Sequence, residues 1–374
     1  MRILQITTAL VPGGVQSLLQ NYGSFLQKEH IVFDYVLQEH GEIEIEERLQ
    51  NEGSRLFFVD SFNKKPIKST IQLYRIIKLY PEYEIVHCHQ NFVNIIPLLA
   101  SKLAGVKTRI SHSHSYRPEG SVLTKTMRRI ARPILKFLAT DYWACSVEAY
   151  KWLYGDTFDL NTSSSFILKN AINTSEYQYN AQNREIIRKK YGWEKQCVFT
   201  CVASLSANKN QSFLLDVFSR VAQDLPSSIF CIVGDGNIKD ELLQKSKKLN
   251  LENRVCFLGK RTDIKDLLDA SDCFLLASRS EGLCISIIEA LSNGLTCIVS
   301  NVLPKAVYIC ERVIPVGIDD KKDIETWRKT IMSCVNSKQL QHDDRLRSIV
   351  GIHGFDLIEN GIILAQKYRE LKKL

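Results

Sequence analysis

Residues 281–289 read Glu281-Gly282-Leu283-Cys284-Ile285-Ser286-Ile287-Ile288-Glu289. Two carboxylates stand eight residues apart, behind the apolar run Asp272–Ala277 (DCFLLA). The order is strand, tight loop, helix, and the pattern predicts a helix from near Leu283 towards Asn293. A glycine after the first carboxylate lets backbone approach a ligand closely. A helix start turns unpaired N–H groups and partial positive charge outward, which suits an anion such as a diphosphate. Glu281, in the loop, can accept hydrogen bonds from sugar hydroxyls. Glu289 lies about 12 Å further on at ~1.5 Å per residue, so the pair would hold two ends of one long ligand. An amphipathic helix with one glutamate in its first turn and one on its surface would show the same spacing.

Outward from this stretch, the second half of the chain alternates strands and helices. Val198–Ala203 reads as a strand and Ser204–Asn210 as the loop after it. Phe213–Asp224 follows as a helix, and Ile229–Val233 is a strand ending in Gly234-Asp235-Gly236. Lys239–Leu249 is a helix, Val255–Leu258 a strand before Gly259, and Asp263–Ala270 a short helix. Thr296–Ser300 is the last clear strand, and 355–374 a long helix with a basic end. The first half repeats the plan: strands near Arg2–Thr7, Val32–Val36, Arg55–Val59, Glu84–His87, Arg109–Ser113 and Asp141–Ser146, with helices between. Such βα units imply parallel sheets covered by helices on both faces, with ligands at the carboxyl ends of the strands. A polar stretch up to Gly192 marks the boundary. The expected domains are 1–168 together with 355–374, and 169–354.

Gly13-Gly14 follows the first strand and can offer backbone N–H groups to phosphate, or serve as a plain strand–helix turn. His87 and His89, and His112 and His114, stand in pairs at strand ends, each pair on one side of the sheet by alternation. Zinc binding is disfavoured, since neither a Cys nor an acidic cluster accompanies them; packed or solvent-facing histidines are the plainer reading. Thr124–Ala139 carries Lys125, Arg128, Arg129, Arg132 and Lys136 among apolar residues, a pattern that fits an anionic membrane surface or a solvated basic face. Pro133 should end or kink the helix near Arg132.

The 374 residues and net charge of +8 fit a two-domain globular protein with a mild preference for anionic partners. Apolar runs fall short of the ~18 to 20 residues of a membrane span, and the start does not read as a signal peptide. The expected location is cytoplasmic. Eleven cysteines lie mostly in apolar strands and read as buried thiols, neither metal site nor disulfide framework.

Taken together, VPGG, EIVHCH, RISHSH, ATDYWACS, KNAIN, SLSANKN, IVGDGN, FLGKRTDIKDLLDASDCFLLASRSEGL and GLTCIVS resemble the retaining glycosyltransferases of family four. That resemblance covers nearly the whole chain and implies the GT-B fold: two Rossmann-like βα domains facing across a cleft, the last helix crossing back to the first. The wording is closest to the bacterial branch that builds capsules and exopolysaccharides. It implies that Glu281 contacts the donor sugar, Glu289 holds the ribose, and Gly282, Leu283 and Cys284 offer N–H groups to sugar and phosphate. Lys209 would pair with the diphosphate, while Gly234, Asp235, Gly236, Gly259, Lys260 and Arg261 line the nucleoside. Gly13 and Gly14 would face the donor phosphates. His114 would lie near the reacting carbon on the acceptor side, with His112 and His89.

The implied reaction needs neither metal nor cofactor, in keeping with the lack of a DxD motif. It would use a nucleotide-sugar donor, with uridine the family expectation, and a lipid-linked saccharide acceptor, with nucleic acid excluded. The chain departs from the family at Ser204, where an arginine is usual, at Asn173 in place of aspartate, and at Cys284 and Thr296 in place of prolines. These departures leave room for a weakened, non-catalytic partner or sugar-binding protein. An epimerase on the same fold is a further alternative, though its extra acidic and histidine groups find no place.

Overall fold

Strands rich in branched and aromatic residues, each followed by a helix, build two parallel sheets in this computed structural model. It describes residues 1–11, 13–114, 122–156, 159–281, 284–319, 321–337 and 339–373, with backbone alone at 122–125, 127, 128, 321 and 373. The chain divides into unit 1, Met1–Ala171 with Leu357–Leu374, and unit 2, Ile172–Asp356.

Unit 1 runs β1 (Arg2–Ile6), α1 (Gly14–Lys28), β2 (Val32–Leu37), α2 (Ile43–Asn51), β3 (Leu56–Phe58), α3 (Pro66–Leu79) and β4 (Ile85–Cys88). Then come α4 (Ile95–Leu103), β5 (Thr108–Ser113), α5 (Val122–Leu138), β6 (Asp141–Ala144), α6 (Val147–Tyr154) and β7 (Ser165–Ile167). Its sheet is ordered β3-β2-β1-β4-β5-β6-β7. Ser146 caps α6 by accepting the Ala149 N–H at 3.1 Å.

Unit 2 runs α7 (Ala181–Tyr191), β8 (Cys197–Val202), α8 (Gln211–Asp224), β9 (Ser228–Val233), α9 (Lys239–Lys248), β10 (Val255–Gly259), α10 (Ile264–Ala270) and β11 (Cys273–Leu276). It continues with α11 (Ile285–Ser292), β12 (Thr296–Ser300), β13 (Val313–Val316), α12 (Lys321–Asn336) and α13 (Arg345–Val350). Its sheet is ordered β10-β9-β8-β11-β12-β13.

The last helix, α14 (Leu357–Lys373), returns to unit 1. Leu364, Ala365, Tyr368 and Leu371 sit in one core with Ile3, Leu19, Tyr22 and Phe33. Gly361 makes room there: a Cβ would come within 2.3 Å of the Phe25 ring, which would have to shift.

Four expectations need correction. Helix α11 begins at Ile285 rather than near Leu283, so Glu281 lies wholly in the loop. The polar stretch before Gly192 holds α7, capped by the Asn180 side chain and ended by Gly192 in the left-handed region at φ 69°. Beyond Thr296–Ser300 lies β13, where Pro315 is tolerated because the strand is at the sheet edge. Helix α5 runs through Pro133 without a break. Buried Ala131, Leu135 and Leu138 hold it to the core, and Pro133 lies on the exposed side, where water can serve the freed carbonyl. Among the described residues no helix is long and apolar enough to cross a membrane.

Candidate functional site

In each sheet the strand order reverses once, between β1 and β4 in unit 1 and between β8 and β11 in unit 2. Ligands of open parallel sheets settle at the carboxyl end of such a reversal. In unit 2 the two loops at that point are Ser204–Asn210, after β8, and the segment carrying Glu281, after β11.

The structure joins these loops by an ion pair. Lys209 Nζ donates to Glu281 Oε1 at 2.5 Å, with the side chains 20% and 11% exposed. Burial acts against the lysine charge, but Cys284 and Glu281 outweigh it and hold the pKa above the ordinary value. Cys284 is the N-cap residue of α11, makes no capping bond through its side chain, and has its thiol pushed up to about 11 by burial, then by Glu281. Lys209 and Glu281, expected to serve phosphate and sugar separately, are thus joined to each other. Gly282 and Leu283 lie outside the described residues.

On α11, Glu289 meets a residue that sequence reasoning missed. The Tyr177 hydroxyl donates to Glu289 Oε1 at 2.9 Å. Burial raises the Glu289 carboxyl, and the tyrosine hydrogen bond opposes that rise. Asn293 in turn donates its side-chain amide to the Tyr177 carbonyl and to Asp269 Oδ1. The carboxylate that the sequence places on a helix surface is thus half-buried and fixed.

The glycine loop after β9 packs onto the lysine loop. A Cβ at Gly234, where φ is 138°, would stand 2.0 Å from the Ala203 carbonyl oxygen, and one at Gly236 would stand 2.2 Å from that of Leu205. Only glycine permits this approach. The Gly234 N–H donates to the Gly259 carbonyl, Leu205 N–H to that of Asp235, and Gly236 N–H to the Asp235 side chain. These groups therefore hold loop to loop. Arg261 is paired with Asp263 at 2.5 Å, and Lys260 is exposed beside it. Ser204 is exposed, its carbonyl accepting from Gln211.

At the reversal in unit 1, the histidine pairs form one buried cluster. Gln5 Oε1 lies 2.7 Å from His89 Nε2, and His89 Nδ1 lies 2.8 Å from His114 Nε2. The Tyr368 hydroxyl lies 2.7 Å from His87 Nδ1, and His87 Nε2 lies 3.0 Å from His112 Nδ1. Burial pushes the pKa of His87, His89 and His112 well below the ordinary value, and that of His114 down to about 3. All four are neutral imidazoles at physiological pH. His114 is the most accessible of them, the other three being buried. Gln5 and Tyr368 were not foreseen; nothing in the linear pattern brings the C-terminal helix to His87.

His87, His89 and His112 offer ring nitrogens within 4.8 Å of one another, close enough to hold a metal ion. In the structure His87 Nε2 faces His112 Nδ1, and His89 faces Gln5 and His114. His112 Nε2 is buried without a partner. In the first loop, Gly13 is the N-cap residue of α1, and the Gly14 carbonyl accepts from Asn170 Nδ2 at 3.2 Å.

The basic segment divides in two. Arg132 points inward, its guanidinium taking the Lys151, Trp152 and Leu153 carbonyls at the end of α6, so it is removed from the surface group. Arg129 is exposed; the Lys125 and Arg128 side chains lie outside those described. Ile130, Ile134 and Phe137, apolar residues of the same segment, are exposed, at 61%, 40% and 71%. The Lys102 ammonium sits 3.4 Å from the Phe137 ring centroid.

The chain is similar to known proteins over its whole length. Residues 183–347 match the family model for glycosyl transferases group 1. The putative glycosyltransferase EpsF of Bacillus subtilis is 26% identical, over 88% of this chain and 86% of its own. An Escherichia coli UDP-Gal:α-D-GlcNAc-diphosphoundecaprenol α-1,3-galactosyltransferase is 25% identical, over 100% and 96%. Among solved structures, Anabaena HepE in complex with UDP-glucose superposes with a TM-score of 0.81 at 20% identity, covering both chains fully. The chain has the two-sheet GT-B fold, and its second unit carries the glycosyl transferases group 1 domain.

Proposed function

We propose that this protein is a retaining glycosyltransferase that moves a sugar from a UDP-sugar to a lipid-linked saccharide in capsule or exopolysaccharide synthesis. The observation that carries the reading is the joining of Lys209 and Glu281 at the strand reversal of unit 2, with Glu289 held by Tyr177 on the adjoining helix. The lipid-diphosphate acceptor in the name of the Escherichia coli relative and the UDP-glucose bound by HepE supply the substrate classes.

In this reading Glu289 binds the ribose hydroxyls and Glu281 the donor sugar. The bond from the sugar's anomeric carbon to the diphosphate breaks, and the acceptor hydroxyl oxygen bonds to that carbon on the same face. The acceptor's proton passes to the departing phosphate oxygen. Lys209, released from Glu281 as the donor binds, takes up charge on the leaving diphosphate; such preorganised charge is typically worth a few kcal/mol. Gly13 and Gly14 add backbone N–H groups, and Gly234, Asp235, Gly236, Gly259, Lys260 and Arg261 border the nucleoside. His114, neutral and backed by His89 and Gln5, orients the acceptor, with His112 behind it. Neither metal nor cofactor takes part, so EDTA leaves turnover unchanged. The exposed stripe Ile130, Ile134 and Phe137, edged by Arg129 and Lys102, docks on anionic lipid at the cytoplasmic membrane face.

Ser204, uncharged beside the phosphate position, favours a second reading as a weakened, non-catalytic assistant of another transferase. Incubation of the purified protein with UDP-sugars and polyprenyl-diphosphate saccharides separates the two: turnover supports the enzyme, and binding of UDP without turnover supports the assistant.

A further inference from the structure

Lys209 and Glu281 together carry no net charge, whereas a nucleoside diphosphate brings several negative charges to the same edge. A site that holds such an anion needs cationic groups beyond one lysine already paired. The loops themselves offer one. The Arg279 N–H donates to the Asn208 carbonyl at 2.8 Å, and Asn208 Nδ2 donates to the Ser280 carbonyl at 2.8 Å. These bonds clamp the glutamate loop to the residue just before Lys209. Arg279 Nη2 reaches Asn210 Oδ1, just after Lys209, at 3.5 Å. The arginine is exposed and among the described residues makes no ion pair.

Asn210 supplies an independent sign. It is only 5% exposed, sits in the left-handed region at φ 55°, and leaves α8 without a side-chain cap. Its Nδ2 is buried with no hydrogen-bond partner. Such orphaned donors are uncommon and costly; this one belongs to the residue that follows Lys209 and whose Oδ1 faces Arg279, and an anionic oxygen would satisfy it.

We propose that Arg279 is the second cation for the diphosphate of the nucleotide-sugar donor, supplying from the neighbouring loop the charge that Ser204 does not. This rests on the donor reading given above. The planar guanidinium can bind two phosphate oxygens at once, which an ammonium cannot do. Arg279 moves onto the diphosphate as the donor enters, while Lys209 leaves Glu281.

The test is calorimetric binding of UDP and of uridine, at low and high salt, to the full chain and to Arg279→Gln, Arg279→Lys and Arg279→Gln/Ser204→Arg. Arg279→Gln should weaken UDP about tenfold or more, leave uridine unchanged and flatten the salt dependence. Arg279→Lys should fall between, and the double variant should regain most of the loss. Circular dichroism checks the fold, which an exposed side chain should not disturb. If the wild type binds UDP and a folded Arg279→Gln binds it equally well, the role of Arg279 is overturned and the donor reading survives. If the wild type binds none of UDP, GDP or ADP, the donor reading fails and Arg279 falls with it.

Discussion

The Tyr177 hydroxyl donates to Oε1 of Glu289 at 2.9 Å, across 112 positions of sequence. A half-buried carboxylate held by one strong donor keeps a single orientation, with its other oxygen left for a ligand. Removing the hydroxyl should loosen that orientation without opening a large cavity. We therefore expect Tyr177→Phe to weaken UDP binding by roughly 1.5–3 kcal/mol, as for a hydrogen bond to a charged group, and to leave UMP and UDP equally affected. Titration calorimetry with both nucleotides checks this, since damage on the phosphate side would separate them.

Lys209 and Glu281 should respond differently when each is neutralised. Lys209→Met strands a mostly buried carboxylate and removes the phosphate partner. It should cost about 2 kcal/mol of stability and lower transfer by roughly a hundredfold. Glu281→Gln frees the lysine, so UDP should bind at least as tightly as to the wild type while transfer is lost. Weaker UDP binding by Glu281→Gln would show that the ion pair prepares the site rather than competing with the donor.

The histidine cluster makes unit 1 sensitive to acid. Below about pH 6.5, the ordinary histidine value, an unfolded chain takes up protons that these four buried rings refuse. The unfolded state then binds more protons, so stability falls as pH falls, from about 6.5 downward towards the depressed native values, about 3 for His114. Each ring contributes up to about 1.4 kcal/mol per pH unit in that window. Urea unfolding at a series of pH values should show the slope, and His112→Asn should reduce it. Because His114 is neutral throughout, turnover between neutral pH and the onset of unfolding should show no histidine titration.

On α5, Ile130, Ile134 and Phe137 are exposed on one stripe. Replacing Ile134 and Phe137 by serine should abolish sedimentation with anionic vesicles and leave donor binding intact. Unchanged sedimentation in that variant and in Arg129→Glu would place any membrane contact elsewhere.

The βα alternation was legible because strands of parallel sheets are buried on both faces and read as short apolar runs; β9 is buried along its whole length. The histidines were legible as a group because alternation brings His87 and His89 to one side of their strand. What the sequence hid was tertiary. Helix α7 looks like a linker because it is polar, yet Arg184 and Arg188 anchor it to Asp272. Pro133 signals a break that packing of Leu135 and Leu138 overrides. Arg132 looks like surface charge until the α6 carbonyls are seen to accept it. Tyr177, Gln5 and Tyr368 carry no local pattern that marks them as partners of Glu289, His89 and His87.

The most direct measurement is transfer itself: wild-type protein with a panel of UDP-sugars and polyprenyl-diphosphate saccharides, in EDTA, with product linkage read by NMR. The account predicts a glycosylated lipid that keeps the donor's anomeric configuration, and no product from Glu281→Gln although it still binds UDP. A folded wild type that binds UDP but transfers no sugar across the panel, or a product of inverted configuration, would contradict it.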